Sequence, residues 1–243
     1  AETAVDALAI VLSESGGIDI KRIAELRGIG EEAAIAELTE GDKPLAFKDP
    51  ENGDSMIEKN AYLSGNVRRK LEAARQAGLD ANIKALEAVQ PEPWSSDKVT
   101  ARMGANWVPP ETYSAFVTHL LGDKGAVQYA KLTNTFMVTA DSGTANATSK
   151  WGTKRVPAPR LIENILNSSR IAVYDTDTDG NRHFNQTETD AANDKAKEIR
   201  EEFDNWVFKD ADRRAALTKL FNDIFNTRVT PQYDGSHLKF PGK

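Results

Sequence analysis

The first 58 residues contain three short helix-forming runs followed by two strand-forming runs, an order that strongly constrains the fold. Residues 3–15 predict an amphipathic helix that ends at Gly16 and Gly17. Asp19 is placed to cap a second short helix, and residues 30–40 predict a third. Two short strands then flank a Pro-Glu-Asn-Gly turn. This order predicts a winged-helix-like module over residues 1–60.

The third helix of this module is acidic. In a winged helix that reads DNA, this helix would enter the major groove. Here it carries Glu31, Glu32, Glu37 and Glu40, and it has no lysine or arginine. Because phosphates repel carboxylates, the sequence favours a packing or protein-docking role for this helix over base readout.

Residues 61–110 predict a helical hairpin and a linker. Ser64 is the expected N-cap of its first helix. The apolar positions of the two helices are expected to face each other; they are Val67, Leu71, Ala74, Ile83, Leu86 and Val89. The first helix also carries Arg68, Arg69 and Lys70. These cations form either a solvated face or a strip that contacts phosphates.

Residues 111–186 predict a small α/β region that includes a basic loop. Helix-forming runs alternate there with β-prone runs such as "AVQYAKL", "TFMVTA" and "IAVYD". Residues 187–243 predict two antiparallel helices around an aromatic seam, the first capped at Thr187, and then a tail. The predicted fold class is therefore mainly α with small β elements (α+β). It combines the winged-helix-like module, helical hairpins and a small central sheet.

Composition and motifs argue against several kinds of active site. Without cysteine, the chain has no disulfide, thiolate nucleophile or Cys-type zinc site. His119, His183 and His237 share no metal-ligand spacing, and neither a nucleotide-binding glycine loop nor a nucleophile elbow is present. A stand-alone hydrolase or nuclease would need a cluster of carboxylates that the sequence does not indicate. We therefore predict no catalytic residue and no metal site.

The string "DTDTDG" resembles the first half of a calcium-binding EF-hand loop, with Asp175, Asp177 and Asp179 as alternating carboxylates. The second half does not fit, because Gln186 stands where a bidentate glutamate is needed. The flanking residues also read as strands. A β-hairpin with an Asp-Gly turn is the simpler interpretation.

The net charge of −6 hides an uneven distribution of charge along the chain. Residues 1–57 carry five basic and thirteen acidic side chains, whereas residues 111–170 carry seven basic and four acidic ones. A contact with phosphate is therefore expected in the middle of the chain and not at its start.

The best candidate surface for nucleic acid is the string "SKWGTKRVPAPR", residues 149–160, which we call the basic loop. Its cations can attract phosphates, and an exposed Trp151 can stack on a base. Alternatively, Trp151 fills a core and the basic residues are solvated. The predicted nucleic-acid-binding residues are Lys150, Trp151, Lys154, Arg155 and Arg160 of the basic loop, with Arg68, Arg69 and Lys70.

Several strings resemble one family: "AYLSGNVRRKLEAA", "ARMGANWVPPETYSAF", "WGTKR", "NQTET" with "AKEIREEFDNWVF", and "YDGSHLKFPG". They are similar to the segment that precedes the helicase in very large phage- and plasmid-encoded polypeptides. Those polypeptides join a DNA adenine methyltransferase to a Swi/Snf-type superfamily 2 helicase, and they include phage defence-against-restriction proteins. The resemblance covers nearly all of the chain.

The resemblance implies a connecting region cut from such a polypeptide, with the tail leading to the helicase. The parent would use ATP with magnesium and S-adenosylmethionine in the cytoplasm of a bacterial host, or be carried with phage or plasmid DNA. The family's catalytic residues lie outside these positions, so the resemblance implies no cofactor for this chain. The implied partners are double-stranded DNA and the neighbouring methyltransferase and helicase domains, with no membrane.

Two hypotheses follow. The first is a non-catalytic module that engages DNA through its basic middle and couples neighbouring domains. The alternative is a protein-interaction scaffold without direct DNA contact, which the overall acidity favours. Burial of Lys150, Lys154 and Arg155 in internal ion pairs would favour the scaffold.

Overall fold

The computed structural model describes residues 1–231, which fall into two compact units. One unit comprises Ala1–Pro93 and the described residues from Phe225 onward, and the other comprises Trp94–Ile224. The string "YDGSHLKFPG", with His237, lies outside the described residues. The finer division at residues 60, 110 and 186 stays a prediction.

Helices and small antiparallel sheets make up both units, which confirms the α+β class. The helices are α1 Ala4–Ser15, α2 Ile20–Arg27, α3 Glu31–Thr39, α4 Lys59–Tyr62, α5 Val67–Gln76, α6 Asp80–Ala88, α7 Pro110–Leu121, α8 Ala158–Leu166, α9 Gln186–Val207 and α10 Ala211–Phe225. The strands are β1 Ala46–Asp49, β2 Ser55–Glu58, β3 Gly65–Asn66, β4 Ala126–Ala130, β5 Thr135–Thr139, β6 Tyr174–Thr176, β7 Arg182–Phe184 and β8 Arg228–Val229.

The strands do not form the small central sheet that the sequence predicted. Within residues 1–231 they pair as four separate two-stranded sheets, β1–β2, β3–β8, β4–β5 and β6–β7, all antiparallel. Three of these pairs are hairpins between neighbours in sequence. Local turn formation therefore accounts for most of the strand pairing.

The N-terminal part of the first unit has the predicted order α1–α2–α3–β1–β2. Thr3 caps α1 and Asp19 caps α2, each accepting a hydrogen bond from the backbone N–H three residues on. The core lies between the three helices and β1, and it consists of Ala7, Leu8, Val11, Ile23, Ala24, Ala34, Leu38 and Ala46. In the β1–β2 turn, the buried Asp49 carboxylate accepts hydrogen bonds from the Glu51 N–H and the Asn52 amide.

Helices α5 and α6 form the predicted hairpin. Their facing side chains share a second core with Phe47 and Tyr62, whose rings stack with centroids 5.2 Å apart. The N-cap of α5 is Asn66 and not Ser64, because the Asn66 side chain accepts from the Arg69 N–H at 3.0 Å. Ser64 is buried and donates to the carbonyl of Ala61.

Helices α7, α8 and α9 enclose the larger core of the second unit. Phe116 of α7 meets Phe203 of α9 edge to face, with ring centroids 5.0 Å apart. Tyr113 meets Phe136 of β5 in the same way at 5.4 Å, so the β4–β5 hairpin covers α7. The Tyr113 hydroxyl donates to the carbonyl of Ala105 at 2.9 Å, and burial raises the pKa of its phenol.

The aromatic rings of α9 and α10 have different partners, contrary to the predicted seam between these two helices. Trp206 of α9 packs on Phe116 of α7, with centroids 5.2 Å apart. Phe221 of α10 packs on Trp94 and Trp107, at 5.6 and 5.2 Å. The N-cap of α9 is Asn185 and not Thr187, since the Asn185 side chain accepts from the N–H of residue 188.

Two side chains from α8 form hydrogen bonds with the backbone of β5, at the edge that does not pair with β4. Asn167, which ends α8, donates to the Phe136 carbonyl and accepts from the Phe136 N–H, both at 2.8 Å. Glu163 accepts from the Val138 N–H at 3.0 Å. These groups take the place of a neighbouring strand and satisfy backbone groups that an edge strand would leave unpaired.

Candidate nucleic-acid interface

The basic loop runs from a π-helical turn at Asn146–Lys150 into the first turn of α8. The Asn146 amide donates to the carbonyl of Leu121, at the end of α7, at 2.9 Å. The backbone N–H of Trp151 donates to the Asn146 carbonyl at 2.9 Å and closes the turn. The loop is therefore anchored at both ends to helices of the core.

Gly152 lies at the tightest point of the loop. A Cβ atom here would lie 2.1 Å from the carbonyl oxygen of Ala147 and 2.5 Å from the backbone nitrogen of Ala158. Both neighbours are backbone atoms, which cannot move aside as the end of a flexible side chain can. Glycine therefore allows the π-helical turn and the start of α8 to approach each other.

Residues 153–156 form a closed turn that presents two cations. The Thr153 N–H donates to the Val156 carbonyl at 3.0 Å, and the Val156 N–H donates to the Thr153 hydroxyl at 2.9 Å. Lys154 and Arg155 lie between these bonds and are exposed. Within residues 1–231, no ion pair or hydrogen bond engages the Lys154 ammonium.

Trp151 combines features of both interpretations of the loop. Its indole is half-buried and packs against the core of the second unit. The Lys150 ammonium lies 5.5 Å from the ring centroid, a cation–π distance. The indole N–H is buried but has no acceptor among the described residues, a condition that costs about 1–3 kcal/mol.

Arg155 connects the basic loop to the β6–β7 hairpin. Its guanidinium donates to the Asp175 carboxylate at 2.7 Å and to the Tyr174 carbonyl at 2.9 Å. This guanidinium, followed by the Asn185 amide, lowers the pKa of Asp175. Both side chains of the ion pair remain accessible, with 42% of Arg155 and 51% of Asp175 exposed.

The β6–β7 hairpin is exposed along both strands, and it confirms the strands predicted around "DTDTDG". The Asp177 carboxylate accepts from the N–H groups of Asp179 and Asn181 and from the His183 ring. The hydrogen bond from His183, followed by that from Asn181, lowers the pKa of Asp177 to about 2. Among residues 1–231, no group of three or more histidine, aspartate or glutamate side chains is arranged to hold a metal ion.

Arg160 lies in the first turn of α8, where it pairs with Glu163 at 2.9 Å and is largely exposed. Arg155 and Arg160 line one surface cleft of about 580 Å³. Arg170, which the sequence argument did not single out, lines the same cleft. The only sequence signal for Arg170 is its position at the end of the basic segment 111–170.

The cations of α5 are engaged within the first unit. The Lys70 ammonium lies at the C-terminal end of α4. There it donates to the carbonyls of Tyr62 at 2.8 Å, Ser64 at 2.9 Å and Ala61 at 3.3 Å. Burial lowers the pKa of the Lys70 ammonium. This lysine stabilises the chain reversal between α4 and α5.

The two arginines beside Lys70 also have internal partners. Arg68 donates to the carbonyl of Asn226 at 2.7 Å, and Arg69 pairs with Glu51 at 2.9 Å. Arg69 is 69% exposed, so its pair is open to solvent. A phosphate-contacting role for these three residues stays a prediction.

No helix within residues 1–231 combines the length and the apolar character that crossing a bilayer requires.

Two family models match the chain. One, described as a domain of unknown function (DUF8437), covers residues 102–227, which is more than half of the sequence. The chain belongs to the DUF8437 family. The basic loop, the β6–β7 hairpin and the arginine-lined cleft all fall within the DUF8437 residues.

The second family model is described as "Probable helicase, winged helix domain", and it covers residues 1–61. It confirms the winged-helix-like module that α1–α3 and the β1–β2 hairpin form, and it associates this part of the chain with helicases. The match stops well before the DUF8437 residues begin. No curated protein and no solved structure is significantly similar to the chain.

Proposed function

We propose that the chain is a non-catalytic module that engages double-stranded DNA and couples neighbouring domains of a larger methyltransferase–helicase polypeptide. The observation that carries the proposal is the state of the basic loop: Lys150 and Lys154 are exposed, and neither forms an ion pair within residues 1–231. Unpaired exposed cations beside a half-buried indole are suited to phosphate contact with a nearby base or sugar.

The basic loop also supports this function over the scaffold alternative. The scaffold hypothesis expected Lys150, Lys154 and Arg155 to be buried in ion pairs. Arg155 is paired, but its pair with Asp175 is open to solvent, and exposed pairs are worth only about 0.2–1 kcal/mol. A phosphate can therefore compete for the Arg155 guanidinium.

The winged-helix module would serve protein docking in this scheme. Glu31 and Glu32 of α3 are exposed, and Arg27 pairs with Glu37 at 2.9 Å, which lowers the pKa of that carboxyl. An acidic α3 suits contact with a basic surface of an adjoining helicase or methyltransferase domain more than contact with DNA.

The larger polypeptide would supply the catalysis. In this proposal the chain itself needs no cofactor, while the helicase uses ATP with magnesium and the methyltransferase uses S-adenosylmethionine. The setting is the cytoplasm of a bacterial host during modification of phage or plasmid DNA or protection of that DNA from restriction. The coding sequence on either side tests this parentage: an Asn-Pro-Pro-Tyr motif upstream and a Walker loop downstream would support it, and their absence would contradict it.

A fluorescence-anisotropy titration with a duplex of about 20 base pairs tests DNA engagement. We expect binding at low salt, weakened at least about tenfold in the double variant Lys150→Glu/Lys154→Glu. The matched control is Lys124→Glu/Lys209→Glu, which makes the same change in net charge at exposed positions outside the basic loop. Absence of binding, or equal weakening by both double variants, would contradict the proposal.

A further inference from the structure

Helix α8 presents one polar face to the arginine-lined cleft. Arg160, Glu163, Asn164 and Asn167 all line the cleft, and their spacing places them on one side of the helix. The other side of α8 is buried in the core of the second unit through Ala158, Pro159, Leu161, Ile162, Ile165 and Leu166. The core therefore fixes which residues of α8 face the cleft.

Three walls surround this polar face. Residues 135–137 of β5 form one wall, Arg155 and Val156 of the basic loop form another, and residues 169–172 after α8 form the third. At about 580 Å³, the cleft is within the range of roughly 300–1,000 Å³ typical of small-ligand sites. Met137, Val156 and Ile171 add apolar surface, as do Phe136 and Ala172, and the other residues that line the cleft are polar.

The charged side chains that line the cleft are three arginines and one carboxylate. That carboxylate, Glu163, already accepts from the Val138 N–H and from Arg160, and Asn167 is occupied by the backbone of β5. Both of these side chains serve the fold. The remaining charge of the cleft is therefore positive, and it is available to an anion.

Several donors in the cleft are not engaged within the described residues. No ion pair or hydrogen bond there engages the Arg170 guanidinium, the Asn164 amide or the Ser169 hydroxyl. Arg155 and Arg160 belong to exposed pairs, which a stronger anionic partner can displace at small cost. A guanidinium group can bind two oxygens of one phosphate through two parallel hydrogen bonds. Such a contact is stronger than a single hydrogen bond to one carboxylate oxygen.

We propose that this cleft binds the phosphate of a nucleotide unit, with Arg170 as its principal cation and Arg155 and Arg160 as supporting cations. A nucleotide fits better than a bare phosphate ion, because Met137, Val156 and Ile171 provide surface for a sugar or base. The phosphate can come from the backbone of bound DNA or from a free nucleotide. The DNA source rests on the proposed function, since Arg155 belongs to both the basic loop and the cleft.

The test compares Arg170→Glu with Arg200→Glu, a matched reversal at an exposed arginine of α9 that does not line the cleft. One arm measures anisotropy with the DNA duplex, and the other follows backbone amide shifts of residues 169–171 during titration with AMP. If the phosphate comes from DNA, Arg170→Glu weakens duplex binding at least about tenfold and lowers its salt slope by about one. If it comes from a free nucleotide, only the AMP shifts are lost.

Equal behaviour of Arg170→Glu and the wild-type protein in both arms would overturn the proposal. The experiment distinguishes failure of this proposal from failure of the proposed function. If the wild-type protein binds no DNA but Arg170 is required for AMP shifts, the cleft stands and the DNA-engaging module does not. If only the Lys150→Glu/Lys154→Glu variant weakens DNA binding, and AMP gives no shifts, the module stands and the cleft does not.

Discussion

Arg155 and Asp175 form a 2.7 Å ion pair that attaches the basic loop to the β6–β7 hairpin. In the proposed function the same guanidinium contacts a DNA phosphate, so the Asp175 carboxylate and the phosphate would compete for Arg155. The strength of the ion pair would then set how readily Arg155 is available to DNA.

We predict that Asp175→Asn tightens DNA binding. Loss of the carboxylate charge removes the internal competitor, and an exposed pair of this kind is worth about 0.2–1 kcal/mol, or roughly 1.4- to 5-fold in affinity. Anisotropy at low salt measures the change. The control is Asp179→Asn, which removes the same charge from a side chain of the same hairpin that does not contact Arg155. Equal effects of both variants would mean that only overall charge matters.

Gly152→Ala should destabilise the second unit by about 1–3 kcal/mol, because the new methyl group meets three backbone atoms at less than 3 Å. Thermal or denaturant unfolding measures the loss. Gly143→Ala is the matched control: its Cβ would meet only an exposed carboxylate oxygen of Asp141 at 3.3 Å, and we expect a change within about 0.5 kcal/mol. A tolerated alanine at position 152 would contradict the described path of the loop.

Lys70→Met should destabilise the first unit, by about 1–3 kcal/mol, because three backbone carbonyls lose their donor. Lys84→Met, at an exposed position of α6, is the control and should have little effect. Denaturant unfolding of both variants measures the difference. A Lys70→Met protein with unchanged stability but weaker DNA binding would instead support the phosphate-contacting strip predicted from the sequence.

The β6–β7 hairpin should lose order in acid. The pKa of Asp177 is depressed to about 2 in the fold, below its ordinary value of about 3.9. A depressed carboxyl pKa stabilises the hairpin fully above about pH 4, and this stabilisation is lost as the pH falls towards about 2. The backbone amide shift of Asn181, whose N–H donates to the Asp177 carboxylate, measures this loss of order in a pH titration. Asp177→Asn should abolish the transition, and a transition near pH 4 in the wild-type protein would contradict it.

Much of the fold could be predicted from local sequence signals. The winged-helix order with its β1–β2 hairpin, the α5–α6 hairpin and the β6–β7 hairpin all depend on caps, turns and apolar periodicity within short segments. Two helix caps were predicted wrongly, Ser64 instead of Asn66 and Thr187 instead of Asn185. In both cases the predicted cap lies two residues from the observed one. Several residues that can cap a helix stand close together there, and periodicity alone does not choose between them.

The errors in packing have a different cause. The central sheet was expected because several strands were predicted. However, β5 pairs with β4 alone, and the side chains of Glu163 and Asn167 bind the backbone of its other edge in place of a third strand. The aromatic residues of α9 and α10 were expected to meet each other because the helices are neighbours in sequence. Their partners on α7 and on the segment 94–107 are far away in sequence, which no periodicity reports.

The candidate site was partly visible in the sequence. The basic loop could be found from composition, since its four cations lie within 11 residues of one another. The role of Lys70 within the fold could not, because it depends on where the end of α4 lies. Arg170 joins the cleft only when α8 folds and the chain turns back after it, so its importance depends on tertiary structure.

The central claim is that cations of the basic loop contact DNA phosphates, and the salt dependence of binding tests it most directly. Measured between about 50 and 200 mM salt, the logarithm of the association constant should fall linearly with the logarithm of salt concentration. The Lys150→Glu/Lys154→Glu variant should show a slope shallower by about two, one for each lost phosphate contact. A slope unchanged by these substitutions, or binding that does not respond to salt, would contradict the account.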